Sequence, residues 1–223
     1  MKKFLFKFPS RGRPDNFKTT LTSHINHLSN KHEYLFIFTF DNDDLSMNND
    51  NIMGFIQNLN INHKIYYGDS KNKIEAINAN LENENEFDIL VLIADDMDPI
   101  IKNYDEIISN IFDKSNLGLD CTIHFNTARW ADLLDIWCVM GKTYYNRFNY
   151  IYNPEYCSIC CDNEYTEVAK FLNKQIFSET HLFSHNNIVG DETEVRNWWF
   201  NHEDWVTYER RKLINYNLDQ QIV

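Results

Sequence analysis

Phe87-Asp88-Ile89-Leu90-Val91-Leu92-Ile93-Ala94-Asp95-Asp96-Met97-Asp98 is the stretch that decides the fold. The nearly continuous apolar run Phe87 to Ala94 is what a central parallel strand, covered on both faces, looks like in sequence. It stops abruptly at three carboxylates within four residues. Carboxylates crowded at the mouth of a buried strand repel one another and are costly unless water or a cation neutralises them. Oxygen ligands of this kind suit Mg²⁺ or Mn²⁺, which keep several waters and take the rest of their shell from one or two carboxylates and substrate phosphates. A cation carrying a diphosphate is therefore the expectation at this run.

Upstream, Lys2 to Phe8 and Tyr34 to Phe40 are dense in Phe, Ile and Leu and read as strands around a helix from Asp15 to Asn30, a βαβ unit. His63 to Tyr67 reads as a third strand, followed by a helix over Asn72 to Asn80 with Ile74, Ile77 and Leu81 at helical spacing. Downstream, Tyr104 to Phe112 reads as a helix, Leu117 to Phe125 and Ile136 to Met140 as strands, and Lys142 to Phe148 and Tyr165 to Leu172 as helices. Gln175 to His185 is mixed, and the chain from Glu192 onwards reads as mainly helical. Alternating strands and helices predict an α/β class, doubly wound sheet, and such sheets bind ligands outside the carboxyl ends of their strands.

Polar clusters fall at those ends. Pro9-Ser10-Arg11-Gly12-Arg13-Pro14 follows the first strand, Asp41-Asn42-Asp43-Asp44 the second and Gly68-Asp69-Ser70-Lys71-Asn72-Lys73 the third. Any one alone reads as turns and helix caps. Together they converge on one edge of the sheet. Arg11, Arg13 and Lys73 supply cations there, and a guanidinium fork fits phosphate oxygens bidentately. Asp41, ending an apolar strand, is placed to accept hydrogen bonds from a ribose or base.

The chain of 223 residues, with 43% apolar and 15% aromatic residues, is too hydrophobic for disorder and long enough for one α/β domain. No apolar stretch approaches the roughly 20 residues that span a bilayer. The opening Met1-Lys2-Lys3 segment reads as a first strand rather than a signal peptide, so a cytoplasmic protein is expected. Five cysteines suggest reduced thiols; Cys157, Cys160 and Cys161 offer too few ligands for a structural zinc. The formal charge of −12 disfavours wholesale coating of nucleic acid. A C-terminal mixture of Arg196, Arg210, Arg211 and Lys212 with Trp198, Trp199, Phe200 and Trp205 suits base or sugar stacking, although an amphipathic helix packing its aromatics inward is the favoured reading.

Pro9 to Pro14, Asp41 to Asp44, Gly68 with Asn72-Lys73, Ala76-x-Asn78 and Leu92 to Met97 together resemble the nucleotide-binding half of the GT-A glycosyltransferases, family 2 especially. The resemblance implies a single GT-A domain: a nucleotide-sugar half over 1–100, an acceptor and catalytic half over 101–190, and a helical segment over 191–223. It implies a donor site of Pro9, Ser10, Arg11, Arg13, Asp41, Asp43, Lys73, Asn78 and Asp95, with Asp95 nearer the ribose. Asp96 or Asp98, with the late histidine His185, would hold Mn²⁺ or Mg²⁺. The base that takes the acceptor proton would be Asp162, ahead of Glu164. The implied reaction is transfer from a nucleotide-diphosphate sugar, UDP-linked by preference, to a saccharide or a hydroxymethylated DNA base. A nucleotidyltransferase on a related sheet and an inactive sugar-nucleotide-binding protein are the alternatives. His124 is a weaker metal candidate, and Trp130 and Trp137 are candidate sugar platforms for which core packing is favoured.

Overall fold

The computed structural model describes residues 1–127, 129–186 and 190–220. A seven-stranded sheet forms the centre, built of β1 (Lys3–Pro9), β2 (Glu33–Asp41), β3 (His63–Gly68), β4 (Ile89–Leu92), β6 (Thr122–Phe125), β7 (Val139–Gly141) and β8 (Gln175–Ser178). Their spatial order is β3-β2-β1-β4-β7-β6-β8. The first four are mutually parallel, β7 runs antiparallel to β4 and β6, and β8 is parallel to β6. A second, two-stranded ribbon pairs β5 (Met97–Pro99) antiparallel with β9 (Phe183–His185).

Burial of both faces explains why the central strands read as unbroken apolar runs. Phe4, Phe6 and Phe8 of β1 pack on one face with Phe17 and Leu21 of α1 (Pro14–His27), Ile52 and Ile56 of α2 (Asp50–Asn58) and Ile108 of α4 (Tyr104–Lys114). On the other face Leu5, Leu90 and Leu92 meet Ile74 and Ile77 of α3 (Lys73–Asn78), Tyr144 of α5 (Lys142–Phe148) and Val168 of α6 (Cys161–Phe171). Sequence marks the helix starts: Pro14 at the head of α1, and the Asn49 and Asn72 side chains accepting backbone N–H bonds at the heads of α2 and α3. At the C-terminus α7 (Glu192–Trp198) precedes α8 (Asn201–Leu213), a 3₁₀ segment follows at Asn215–Gln220, and 221–223, the end of the predicted helical segment, lie outside the described residues.

The structure departs from the expected elements in four places. Leu117 to Asp120 turns rather than extends, with Gly118 at φ +57°, so β6 starts only at Thr122. The expected strand from Ile136 is shorter and later, as β7. Helix α6 begins at Cys161, which places Asp162 and Glu164 inside its first turn instead of before it. Helix α2 was not foreseen, although Asn49 ahead of Ile52 and Ile56 is a helix-start signal. Among the described residues no helix is long and apolar enough to cross a membrane.

Candidate functional site

Parallel registry aligns the strand ends: Pro9 lies opposite Thr39 and Asp41 opposite Gly68. The loops that follow therefore meet. Arg11 Nη1 bonds Asp41 at 2.7 Å and Asp43 at 2.5 Å, and Nη2 adds a second bond to Asp43 at 2.9 Å. Asp41 is buried and Asp43 exposed, so this arginine reaches from the buried strand end to solvent. Ser10 donates its hydroxyl to Asp95 at 2.7 Å. Burial pushes the Asp95 carboxyl up to about 7, against the Ser10 bond and the charge of Arg13. Pro9 ends β1 half-buried and directs the chain into this loop.

Asp96 receives His185 Nε2 at 3.1 Å. Burial opposes ionisation of Asp96, but the bond and charge of His185 and the charges of Arg13 and Lys73 outweigh it and hold the carboxyl below its ordinary range. The His185 ring stands edge-on to Trp137, centroids 5.5 Å apart, and Trp137 is itself core. The ribbon sets this meeting, because its register puts Met97 opposite His185. Buried His24 fixes the ribbon in turn: Nε2 donates to the Met97 carbonyl and Nδ1 accepts from Tyr104, each at 2.9 Å. Burial pushes His24 down to about 3, so it is neutral.

Asp98 takes Asn186 Nδ2 on one oxygen at 2.7 Å, while the other is buried without a partner. Asp98 is turned to Asn186 and does not close a ready three-ligand set with Asp96 and His185. Among the described residues the His/Cys/Asp/Glu group whose ligating atoms lie within 4.8 Å is His32, Asp105 and Glu106, on another edge of the fold. That group is spoken for. His32 Nδ1 accepts from the Lys2 N–H at 3.1 Å, which places the ring proton on Nε2, 3.0 Å from Glu106 though poorly aligned with it. Asp105 already accepts from Ser29 and Tyr34. Asp96 and His185, 3.1 Å apart, bring together a carboxylate and an imidazole, both ligand types that divalent ions accept.

Asp162 sits half-buried in the first turn of α6; burial raises its carboxyl and the Lys73 ammonium opposes the rise. Lys73 thus acts on both Asp96 and Asp162, and among the described residues it has no ion-pair partner. Beside Asp162 lies a residue that sequence reasoning missed. Asp135 is fully buried, its N–H bonds Thr166 Oγ1, and Thr166 donates to the Asp162 carbonyl.

Two expected site residues lie elsewhere. Glu164 is buried at 4% exposure, held by Arg211 through bonds of 2.6 and 2.8 Å and by the Tyr156 hydroxyl at 2.8 Å. It anchors α8 and is in no position to take a proton from a substrate. Asn78 gives Nδ2 to the Tyr152 carbonyl and accepts the Ile151 and Tyr152 N–H groups, a staple that saturates its amide.

The C-terminal segment also differs from its favoured reading. Trp198, Trp199 and Trp205 are 56%, 73% and 46% exposed rather than packed on the core, and Arg211 is buried. Helix α7 instead turns polar residues toward the loops after β1 and β3. Asp191, its N-cap, receives Arg13 through bonds of 2.6 and 2.9 Å. Thr193 donates to the Arg11 carbonyl at 2.9 Å, and Arg196 reaches the Lys71 carbonyl at 3.1 Å and lies 3.9 Å from Asp41. The Asp191-x-x-Glu194 spacing, a capping signature, marks this helix start in the sequence. His124 is buried against Phe177 with both ring nitrogens unpartnered, and Trp130 takes Arg129 over its ring at 4.8 Å. All five cysteines are free, and the Cys157 to Ile159 N–H groups bond to Asp204.

Strand order and the added ribbon define a GT-A-like α/β fold. Solved structures share it. TarS from S. aureus, residues 1–349 in complex with UDP-GlcNAc, aligns at a TM-score of 0.63 and 12% identity, over 86% of this chain and 60% of that one. The mannosyltransferase PcManGT from Pyrobaculum calidifontis, in complex with GDP-Man and Mn²⁺, aligns at 0.66 and 10% identity, over 94% and 64%. The 4-diphosphocytidyl-2C-methyl-D-erythritolsynthase from Anaerococcus prevotii aligns at 0.55 and 13% identity, over 90% and 96%. The chain spans 60% and 64% of the length of these two glycosyltransferase chains. No protein-family model and no curated protein matches the sequence.

Proposed function

We propose that this chain is a glycosyltransferase that moves a sugar from a nucleotide-diphosphate donor to an acceptor hydroxyl with the help of Mn²⁺ or Mg²⁺. The observation that carries the reading is the meeting of Asp96 and His185 at 3.1 Å, under the charges of Arg13 and Lys73, at the carboxyl ends of the parallel strands. Arg11 and Asp41 would hold the nucleoside end, and Ser10 keeps the Asp95 carboxyl oriented toward it. Arg13 and Lys73 would take the diphosphate oxygens. A divalent ion held by Asp96 and His185 would neutralise the charge of the departing diphosphate. Asp162 would accept the proton of the acceptor hydroxyl as its oxygen attacks the anomeric carbon; burial raises its proton affinity, the direction a general base needs. A UDP-linked donor is the first choice, and the charge of −12 favours a saccharide over a DNA acceptor.

The nucleotidyltransferase reading has one specific support, the alignment with a cytidylyl-transferring synthase over 96% of its length. One panel separates the two. UDP- and GDP-sugars, and the four nucleoside triphosphates with sugar phosphates, are incubated with the protein and Mn²⁺. Release of UDP or GDP with Asp96-dependent turnover supports glycosyl transfer; release of pyrophosphate from a triphosphate would replace that reading with the second.

A further inference from the structure

Each arginine expected to face the donor is already neutralised from within the chain. Arg11 is on Asp41 and Asp43, and Arg13 is on Asp191 through a two-bond fork. The second case differs in kind, because Asp191 comes from the C-terminal helix α7, 178 residues away, and not from a neighbouring strand end. A carboxylate gripped by both arms of a guanidinium occupies the place, and uses the geometry, of two phosphate oxygens. Thr193 on the Arg11 carbonyl and Arg196 on the carbonyls of Ser70 and Lys71 tie the same helix across the loops that follow β1 and β3. A methyl group added at Gly12 would lie 3.0 Å from Thr193 Oγ1, so helix and loop are in close contact there.

We propose that Asp191 is a further donor-site residue: its carboxylate stands on Arg13 where a donor phosphate belongs, and nucleotide binding exchanges that carboxylate for phosphate and loosens α7. The inference rests on Arg13 being a phosphate contact. Competition follows from linkage. A contact made only in the nucleotide-free form lowers the apparent affinity, and removing it raises that affinity. The exchange also gives selectivity for ligands that offer at least two anionic oxygens to Arg13, because a ligand with none leaves the latch shut.

Asp191→Asn is the informative change. Asparagine caps a helix as well as aspartate does, so α7 keeps its start while the charge on Arg13 is lost. UDP and GDP, each with Mn²⁺, are titrated calorimetrically into the full chain and into Asp191→Asn, and amide hydrogen exchange is followed over Glu192–Trp198. The expected result is about fivefold tighter binding by the variant, the order expected for losing one partly exposed ion pair. Exchange in α7 of the unaltered chain should speed up when nucleotide is added. Equal or weaker binding by Asp191→Asn, or slower α7 exchange with nucleotide, overturns the competition while leaving the donor site intact. If neither protein binds UDP or GDP, the donor-site reading falls and the competition with it.

Discussion

The imidazole of His185 meets the Asp96 carboxylate at 3.1 Å across a ribbon whose strands are 86 residues apart in the chain, with Asp98 opposite Ser184. Nothing local holds His185 there; the ribbon register and the Trp137 edge do. Asp96→Ala should abolish the Mn²⁺-dependent rise in melting temperature given by UDP or GDP. His185→Ala should weaken it by roughly 10- to 100-fold in nucleotide or metal concentration, the scale seen when the support of a metal site is removed. Differential scanning fluorimetry across a Mn²⁺ series checks both. An unchanged shift in Asp96→Ala would place the metal elsewhere.

His24 gives the ribbon a pH dependence. Its folded-state value of about 3 lies below the ordinary 6.5, so between those limits the unfolded chain binds the extra proton. Stability contributed by neutral His24 is complete above about pH 6.5 and is lost progressively as the pH falls toward 3. Asp95, raised to about 7, works in the opposite direction, adding stability that fades as pH rises from its unfolded value through 7. His24→Ala should cost about 2 to 4 kcal/mol near neutrality, from the cavity and the stranded Tyr104 hydroxyl and Met97 carbonyl. It should also flatten the acid limb of a urea-unfolding series between pH 6.5 and 4. An acid limb as steep as in the unaltered chain would show that another group causes it.

Asp162 and Glu164 occupy one helical turn, Glu164 paired with Arg211 and Asp162 the proposed base. Glu164→Gln breaks a buried ion pair with Arg211 and should destabilise by about 3 to 5 kcal/mol, while the folded fraction still binds nucleotide. Asp162→Asn should leave stability unchanged or raised, because burial already disfavours its charge, and should remove sugar transfer. Urea unfolding beside turnover per folded molecule separates the two. Transfer surviving in Asp162→Asn would move the base to another group.

Which residues the sequence makes legible follows from the range of the forces that place them. Parallel strands covered on both faces must be apolar throughout, so β1, β2 and β4 stand out, and their ends mark Arg11, Arg13, Asp41 and Asp96. Glu164 and Asn78 look the same in sequence as site residues because their partners, Arg211 and the backbone of Ile151 and Tyr152, are 47 and 73 or more residues distant. Partners far along the chain likewise hide Asp191, 178 residues from Arg13, and Asp135, 31 residues from Thr166. Strand β6 was overextended because Leu117 and Leu119 alternate as a strand would, yet Gly118 adopts the left-handed backbone of a turn. The outward aromatics of α7 break the inward rule because the face turned to the protein is occupied by Thr193 and Arg196.

Lys73 is the cation through which the two halves of the proposed site communicate. It stands at the head of α3, after the Asn72 cap, and its charge favours ionisation of both Asp96 and Asp162. Replacing it with methionine keeps the stem and removes the charge, so packing is largely retained. Without the ammonium the Asp162 proton affinity rises further, and the acid limb of the pH profile for kcat/KM should move to higher pH. Affinity for UDP or GDP with Mn²⁺ should fall about tenfold, as for loss of one charge-assisted phosphate contact. A pH profile measured from 5 to 9 beside calorimetric titrations reads both effects. If affinity fell while the acid limb stayed in place, Lys73 would act on the diphosphate alone and Asp162 would not be the group titrating in that limb.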